Sequence, residues 1–228
     1  MNWFFNFLTS SIGRKVIMSL TGLFLILFLV MHLIGNLQLL EGDGGEKFNL
    51  YAKFMTTNPL IKTISYLLYA SILLHAFQGW ALWRKNRAAR GDARYAVKVT
   101  RAVNTNSNFA SGMGWLGTII FIFLLIHLYQ FWLQMKIGNV GMATYDGETV
   151  KDLYTLVALA YENPLYVIFY VVSMLVIAFH LYHGFQSAFQ TLGLNHKKYS
   201  PLIHFLGKAY AILVPLGFAI IPVWMYLN

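Results

Sequence analysis

Five long apolar runs, separated by shorter polar segments, dominate the sequence. They cover residues 16–40, 59–83, 113–135, 164–190 and 202–227. About 20 predominantly apolar residues in an α-helix are enough to cross the hydrocarbon core of a bilayer, and each run reaches that length. The pattern predicts an all-α membrane protein, with one domain over residues 1–228 built as a bundle of five transmembrane helices.

The polar segments between the runs carry little predicted structure. Residues 41–58 contain three acids and a cluster of glycines and are expected to form a loop. The segment TVKDLYTLVALAY, residues 149–161, is interpreted as a short surface helix.

Composition supports a membrane location and excludes several other classes. Hydrophobic residues make up 58% of the chain and charged residues 11%, against roughly 25% charged residues in a soluble domain. Mean hydropathy is +0.57. Five spans leave no room for a soluble catalytic domain. Cysteine is absent, which excludes disulfides, thiolate-bound iron–sulfur clusters, zinc ribbons and covalently attached c-type haem.

The charges predict an orientation. Of the 17 Lys and Arg residues, 12 fall on one side of the predicted membrane, seven of them in residues 84–101. Seven of the eight acids fall on the other side. Because basic residues accumulate on the cytoplasmic side, we expect a cytoplasmic N-terminus and an external C-terminus. The net charge of +9 is then a topology signal, and no nucleic-acid partner is predicted.

Each of the first four runs contains one deep histidine, at His32, His75, His127 and His180. Ionisable side chains inside a span are costly and usually mark a functional site. With a rise of about 1.5 Å per residue, these histidines divide into an outer pair, His32 and His127, and an inner pair, His75 and His180. The two levels are expected to differ by roughly 10 Å. His183, one turn after His180, is an alternative member of the inner pair.

Two histidine pairs at two depths suit two haem groups, each holding its iron between imidazoles from two helices. Gly79 and Gly184 follow their histidines by one turn, where a missing side chain leaves room for a flat ring. Close helix packing is an equally good explanation for either glycine. An intramembrane zinc or copper transporter is a rival, although such sites usually include carboxylates or thiols. A purely structural bundle is another.

The motifs LVMHLIGN, LLHAFQG, LIHLYQ and AFHLYHGFQSAF, in this order on four spans with a fifth span following, resemble a known family. EKFNLYAKFM before span two and ENPLYVIFYVV at the start of span four add to the likeness. The chain resembles the single-subunit dihaem cytochrome b membrane anchor of succinate dehydrogenase and fumarate reductase, in particular the b558 type of menaquinone-using bacteria. The likeness covers nearly the whole chain.

The resemblance implies two b haems, with His32 and His127 as axial ligands of the outer one and His75 and His180 of the inner one. It implies a multi-pass protein of a bacterial cytoplasmic membrane, with a flavoprotein and an iron–sulfur subunit on the cytoplasmic face. Electrons would pass from succinate through flavin and iron–sulfur clusters to the haems and then to menaquinone, or in reverse to fumarate. Such complexes can form dimers or trimers. The cytochrome b subunit of a hydrogenase or formate dehydrogenase is the alternative among electron-transfer proteins.

Further site residues stay as candidates. Some dihaem relatives carry an acid just after the Phe-Met pair before span two, where this chain has Thr56. Three acids are candidates for a quinone or proton site, and the sequence does not choose among them: Glu46, Asp43 and Glu162. Four residues near the inner level are candidates for binding haem propionates, the arginines being favoured because charge-assisted bonds are stronger: Arg14, Ser19, Arg101 and His204.

Overall fold

A computed structural model describes residues 3–90 and 112–228. In chain order its elements are α1 (Trp3–Thr9), α2 (Ser11–Leu37), a 3₁₀ turn (Gln38–Leu40), α3 (Glu46–Thr57), α4 (Pro59–Arg90), α5 (Met113–His127), a π-helical segment (Leu128–Leu133), α6 (Gln134–Ile137), β1 (Met142–Tyr145), β2 (Glu148–Lys151), α7 (Leu153–Tyr161), α8 (Pro164–Thr191) and α9 (Ser200–Leu227).

Five helical stretches of the described residues are long and apolar enough to cross a membrane: Ser11–Leu40, Pro59–Ala89, Met113–Ile137, Pro164–Thr191 and Ser200–Leu227. The prediction of five membrane-length helices is therefore confirmed. The first two of these stretches extend beyond the predicted runs into polar sequence. The first begins at Ser11, before the predicted residue 16, and the second continues through residues 84–89. Local chemistry defines two of the starts: the Ser10 hydroxyl accepts from the Gly13 amide, and Asn163 caps α8 with Pro164 at the first helical position.

The helices pack around α8. α9 lies along α8, while α2 and α5 also contact α8, and α4 contacts α2 and α5. The Tyr210 hydroxyl donates to the Ile26 carbonyl at 2.6 Å and joins α9 to α2. Side chains in α8 and α9 supply most of the buried positions within the spans. The bundle thus has a packed side at α8 and α9 and a more open side between α4 and α5.

One end of the bundle is covered by a cap made of α3, the β1–β2 hairpin and α7. Asn49 holds the cap together and is only 1% exposed. Its Nδ2 donates to the Tyr145 hydroxyl and to Asp152 Oδ1, both at 3.0 Å. Its Oδ1 accepts from the Leu153 and Tyr154 amides, both at 2.9 Å. One side chain therefore connects all three elements of the cap.

The cap corrects two predictions made from the polar segments. The predicted loop at residues 41–58 contains a 12-residue helix, α3. The predicted surface helix at residues 149–161 begins only at Leu153, because Thr149, Val150 and Lys151 form β2. Asp146 and Gly147 both have positive φ, at 48° and 84°, as a type I′ hairpin turn requires.

Candidate functional site

The outer pair lies where α2 approaches α5. The His32 and His127 ring centroids are 5.9 Å apart with nearly perpendicular planes, at 88°. Phe28 stacks on His32 and Phe123 stacks on His127, with centroids 5.1 and 5.8 Å apart. Each imidazole of the outer pair thus stacks on a phenylalanine of its own helix and meets the other imidazole in a T-shaped arrangement.

The inner pair joins α4 to α8. The His75 and His180 centroids are 6.2 Å apart, with planes at 68°. His183 also borders the cavity described below, but its Nε2 lies 3.0 Å from the Ser187 hydroxyl on its own helix. His180 is therefore the residue opposed to His75, so the structure brings the four histidines together in the pairs expected from depth.

Both separations fit an iron held between two imidazoles. Two metal–nitrogen bonds of about 2.0 Å, with about 1.1 Å from each nitrogen to its ring centre, place the centroids about 6.2 Å apart. The observed 5.9 and 6.2 Å are close to that value. The residues present thus fit a planar cofactor that takes one nitrogen on each face.

The two levels are farther apart than the sequence suggested. On α2, Thr21 contacts His75 of the inner pair and His32 belongs to the outer pair. On α8, Tyr170 contacts His127 of the outer pair and His180 belongs to the inner pair. Spacings of eleven and ten residues correspond to about 15–17 Å along each axis, against the roughly 10 Å expected from predicted span ends.

One cavity of about 1600 Å³ connects both pairs and is bordered by all four histidines. A pocket for one drug-sized ligand occupies about 300–1,000 Å³, so this cavity is large enough for more than one such group. Its wall is mostly apolar and includes six span glycines: Gly22, Gly35, Gly79, Gly114, Gly117 and Gly184.

The glycines differ in what a side chain would meet. A Cβ at Gly184 or Gly117 would find nothing within 4 Å, so their missing side chains leave open space within the cavity. A Cβ at Gly79 would come within 2.8 Å of Met18 Cε, and one at Gly22 within 3.2 Å of His75 Cε1. Gly184 therefore fits the expected space beside His180 directly, whereas Gly79 also serves helix packing.

The Nδ1 atoms have different neighbours. His75 Nδ1 lies 3.2 Å from the Thr21 hydroxyl, and His127 Nδ1 lies 3.3 Å from the Tyr170 hydroxyl. His32 Nδ1 lies 3.3 Å from Asn36 Nδ2, which also donates to the His32 carbonyl at 2.7 Å. His180 Nδ1 is buried with no hydrogen-bond partner among the described residues. Each pair thus contains one imidazole with a hydroxyl at Nδ1 and one without.

The four candidates for binding haem propionates do not all lie at the large cavity. Ser19 borders the cavity and is buried, although its hydroxyl donates to the Lys15 carbonyl. Arg14 is not among the lining residues, and its Nε donates to the Thr9 carbonyl. His204 borders a separate cavity of about 400 Å³ at the start of α9. Arg101 lies outside the described residues.

The three acidic candidates all lie outside the wall of the large cavity as described. Asp43 caps α3, since its carboxylate accepts from the Gly45 and Lys47 amides. Glu46 is the first residue of α3, and Glu162 is an exposed residue at the end of α7. Thr56, by contrast, borders the cavity.

Sequence reasoning missed several residues of the site. Lys15 borders the cavity next to Ser19, and its place at the basic end of span one was the available signal. Tyr170 lies ten residues before His180, on the part of span four nearer the outer pair, and that spacing could have indicated it. The contact of Thr21 with His75 could not be predicted, because the two residues are 54 positions apart in the sequence.

Comparison with known proteins adds no relative: no protein-family model matches the chain, and neither the curated proteins nor the solved structures contain a significant match.

Proposed function

We propose that this chain is a dihaem cytochrome b that anchors a succinate:quinone oxidoreductase in the membrane. The observation that carries the proposal is the arrangement of two opposed histidine pairs, with centroids 5.9 and 6.2 Å apart, on one cavity of about 1600 Å³. The sequence motifs around the four histidines supply the resemblance to the succinate dehydrogenase and fumarate reductase anchors.

Donor count favours a macrocycle over a bare metal ion. Structural and catalytic zinc sites take three or four protein ligands, and no group of three or more His, Cys, Asp or Glu side chains suited to a metal gathers within residues 3–90 and 112–228. A haem brings four nitrogens of its own and needs one imidazole on each face. Two donors per site are therefore sufficient for haem, and fewer than the three or four that structural and catalytic zinc sites take.

The chain's own residues would hold and orient the cofactors. His32 and His127 would hold the outer haem, and His75 and His180 the inner one, while Phe28 and Phe123 stack on the outer pair. Bound there, haem supplies reversible one-electron transfer. Lys15, on the cavity wall beside Ser19, is a cation suited to a propionate.

The remaining parts of the proposal concern orientation and partners. We place the basic end of the bundle in the cytoplasm, from the distribution of Lys and Arg, in a bacterial inner membrane. The flavoprotein and iron–sulfur subunits would dock there, and menaquinone would exchange electrons from the membrane. The chain contributes no dicarboxylate chemistry of its own in this assignment.

The direct test is a dithionite-reduced minus oxidised spectrum of the purified chain, with pyridine-haemochrome stoichiometry. The expected result is about two b haems per polypeptide, because four axial imidazoles serve two six-coordinate irons. Colourless protein from cells supplied with haem would reject the proposal and favour a transporter or a structural bundle.

Histidine variants test which residues hold the cofactors. His75→Ala should remove the inner haem and leave the outer one partly populated. His183→Ala is the matched control, because His183 borders the same cavity but its imidazole bonds to Ser187. It should keep both haems. Loss of the inner haem in His183→Ala together with its retention in His180→Ala would make His183 the ligand in place of His180.

Gly184 separates a cofactor site from a structural bundle. A side chain there meets open space, and replacing a helical glycine gains up to about 1 kcal/mol in helix propensity. Gly184→Leu should therefore leave the haem-free chain as stable as the wild type while removing the inner haem. Gly184→Ala, with a single added carbon, should retain more of it. Full haem content in Gly184→Leu would show that no cofactor occupies this space.

A further inference from the structure

Thr21 and Gly22, consecutive residues on α2, form the surface against which His75 of α4 lies. The Thr21 hydroxyl is 3.2 Å from His75 Nδ1, and the Cβ that Gly22 lacks would be 3.2 Å from His75 Cε1. A hydrogen bond and a close ring contact thus meet the same imidazole from one helix. We call these two residues the His75 seat.

The Thr21 hydroxyl is available as an acceptor towards His75. Its own proton is used within α2, since Oγ1 lies 2.8 Å from the Ile17 carbonyl and 3.2 Å from the Met18 carbonyl. A hydroxyl has one proton and two lone pairs. The contact with His75 is therefore satisfied when Nδ1 carries the imidazole proton and donates it to Thr21.

That tautomer leaves Nε2 without a proton. A neutral imidazole has one donor and one acceptor nitrogen, and the hydrogen bond made by one decides the state of the other. Nε2 is then ready to bind a metal, and an acceptor at Nδ1–H makes the imidazole a stronger electron donor. The seat selects the form of His75 that an iron requires.

Tyr170 does not impose the same choice on His127. Its hydroxyl lies 3.3 Å from His127 Nδ1, and no second acceptor for its proton is found in the described part of the chain. A phenol in that position can donate to Nδ1 or accept from it, so it satisfies either tautomer. The fixed arrangement is specific to the inner pair.

We propose that the His75 seat positions the inner axial imidazole, fixing its tautomer through Thr21 and its approach to α2 through Gly22, and so sets the redox potential of the inner haem separately from that of the outer haem. The inference rests on the proposed function for its redox part. The tautomer part concerns this chain alone.

The redox part is tested by potentiometric titration and low-temperature electron paramagnetic resonance of both haems. Thr21→Val removes the hydroxyl at nearly constant shape. We expect the inner haem's midpoint potential to rise, because a less electron-rich imidazole stabilises ferric iron less, and its g values to change while those of the outer haem do not. Haem retention at the inner site should weaken by about 10–100-fold, as is typical when such a supporting group is lost.

Two further variants control for general damage. Thr21→Ser keeps the hydroxyl and should restore the wild-type potential and g values. Thr118→Val removes another cavity-lining threonine, whose hydroxyl bonds to the Gly114 carbonyl of its own helix, and should change neither haem. Thr21→Val with both haems bound and an unchanged inner potential would overturn the redox part of the proposal.

The tautomer part is tested without haem, by ¹⁵N NMR of histidine-labelled, haem-free protein, with the His75 signals assigned from their loss in His75→Gln. We expect a protonated Nδ1 in the wild type and in Thr21→Ser, and a shift towards protonated Nε2 in Thr21→Val. A wild-type His75 with the proton on Nε2 would overturn the proposal that Thr21 fixes the tautomer. If the protein shows the expected tautomer but binds no haem, the role of Thr21 in fixing the tautomer is supported and the proposed function is rejected. Failure of the tautomer proposal and failure of the proposed function are therefore distinguishable.

Discussion

Replacing Asn49 by alanine should open the cap without disturbing the bundle beneath it. The variant loses a bond to the Asp152 carboxylate, worth about 1.5–3 kcal/mol. It also loses the acceptor for the Leu153 and Tyr154 amides at the start of α7, a capping contribution of about 0.5–2 kcal/mol. The bond to Tyr145 is weaker and near the surface. We therefore expect the cap to lose about 2–5 kcal/mol.

Hydrogen–deuterium exchange measures this loss locally, in protein held in nanodiscs. Since 1.4 kcal/mol is a factor of ten, amides at the start of α7 should exchange at least about 30-fold faster, while those in the middle of α8 should not change. Asn139→Ala is the matched control, because Asn139 is an exposed asparagine whose Nδ2 donates only to Gln134 in the described hydrogen bonds. Equal exchange at α7 in the two variants would refute the role given to Asn49.

Two further predictions concern the same end of the molecule. Burial alone would raise the pKa of Asp152, but hydrogen bonds from Thr155 and Asn49 outweigh it and hold that pKa below its ordinary value of 3.8. The carboxylate therefore stabilises the cap above the unfolded-state pKa and loses that effect as pH falls through the folded-state pKa. After correction for the intrinsic exchange rate at each pH, the protection of the α7 amides should fall in acid, and Asp152→Asn should remove this pH dependence. Gly35→Ala should lower the melting temperature, because its Cβ would lie only 2.5 Å from the Tyr51 ring, and a melting temperature equal to that of the wild type would show that the ring can move aside.

The spans and the histidine pairing could be predicted because both depend on simple distances along a helix. Apolar length identifies a membrane helix, and residue spacing converts directly into depth. Antiparallel neighbours then bring His32 level with His127 and His75 level with His180. The depth difference was less accurate, since it relied on helix ends. α2 begins five residues before the predicted Val16 and α4 continues beyond Trp83.

The cap was harder to predict, because its elements are short and depend on contacts distant in sequence. α3 has low hydrophobicity and follows glycines, so its sequence resembled a loop. The hairpin depended on reading Asp146 and Gly147 as a type I′ turn. Asn49 bonds to the start of α7, 104 residues later in the sequence, and no local sequence pattern predicts a contact at that separation.

Thr21 was missed for a different reason. A threonine in a membrane helix ordinarily bonds to a carbonyl of its own preceding turn, as Thr21 does to Ile17, so its presence needs no functional explanation. The contact between the Thr21 hydroxyl and His75 arises only from the packing of α4 on α2, which the sequence does not show.

The shape of the bundle and the chemistry of its wall bear separately on the proposed haem sites. The space that the four histidines border is a partly open cleft of about 1600 Å³ with a mostly apolar wall. Gly117 and Gly184 keep open space within the cavity that ordinary side chains would fill. Lipid or quinone could fill apolar space of this kind, but neither explains two opposed imidazole pairs at a spacing suited to a metal between them. The two haems proposed above would account for the apolar space, the glycines and the histidines together.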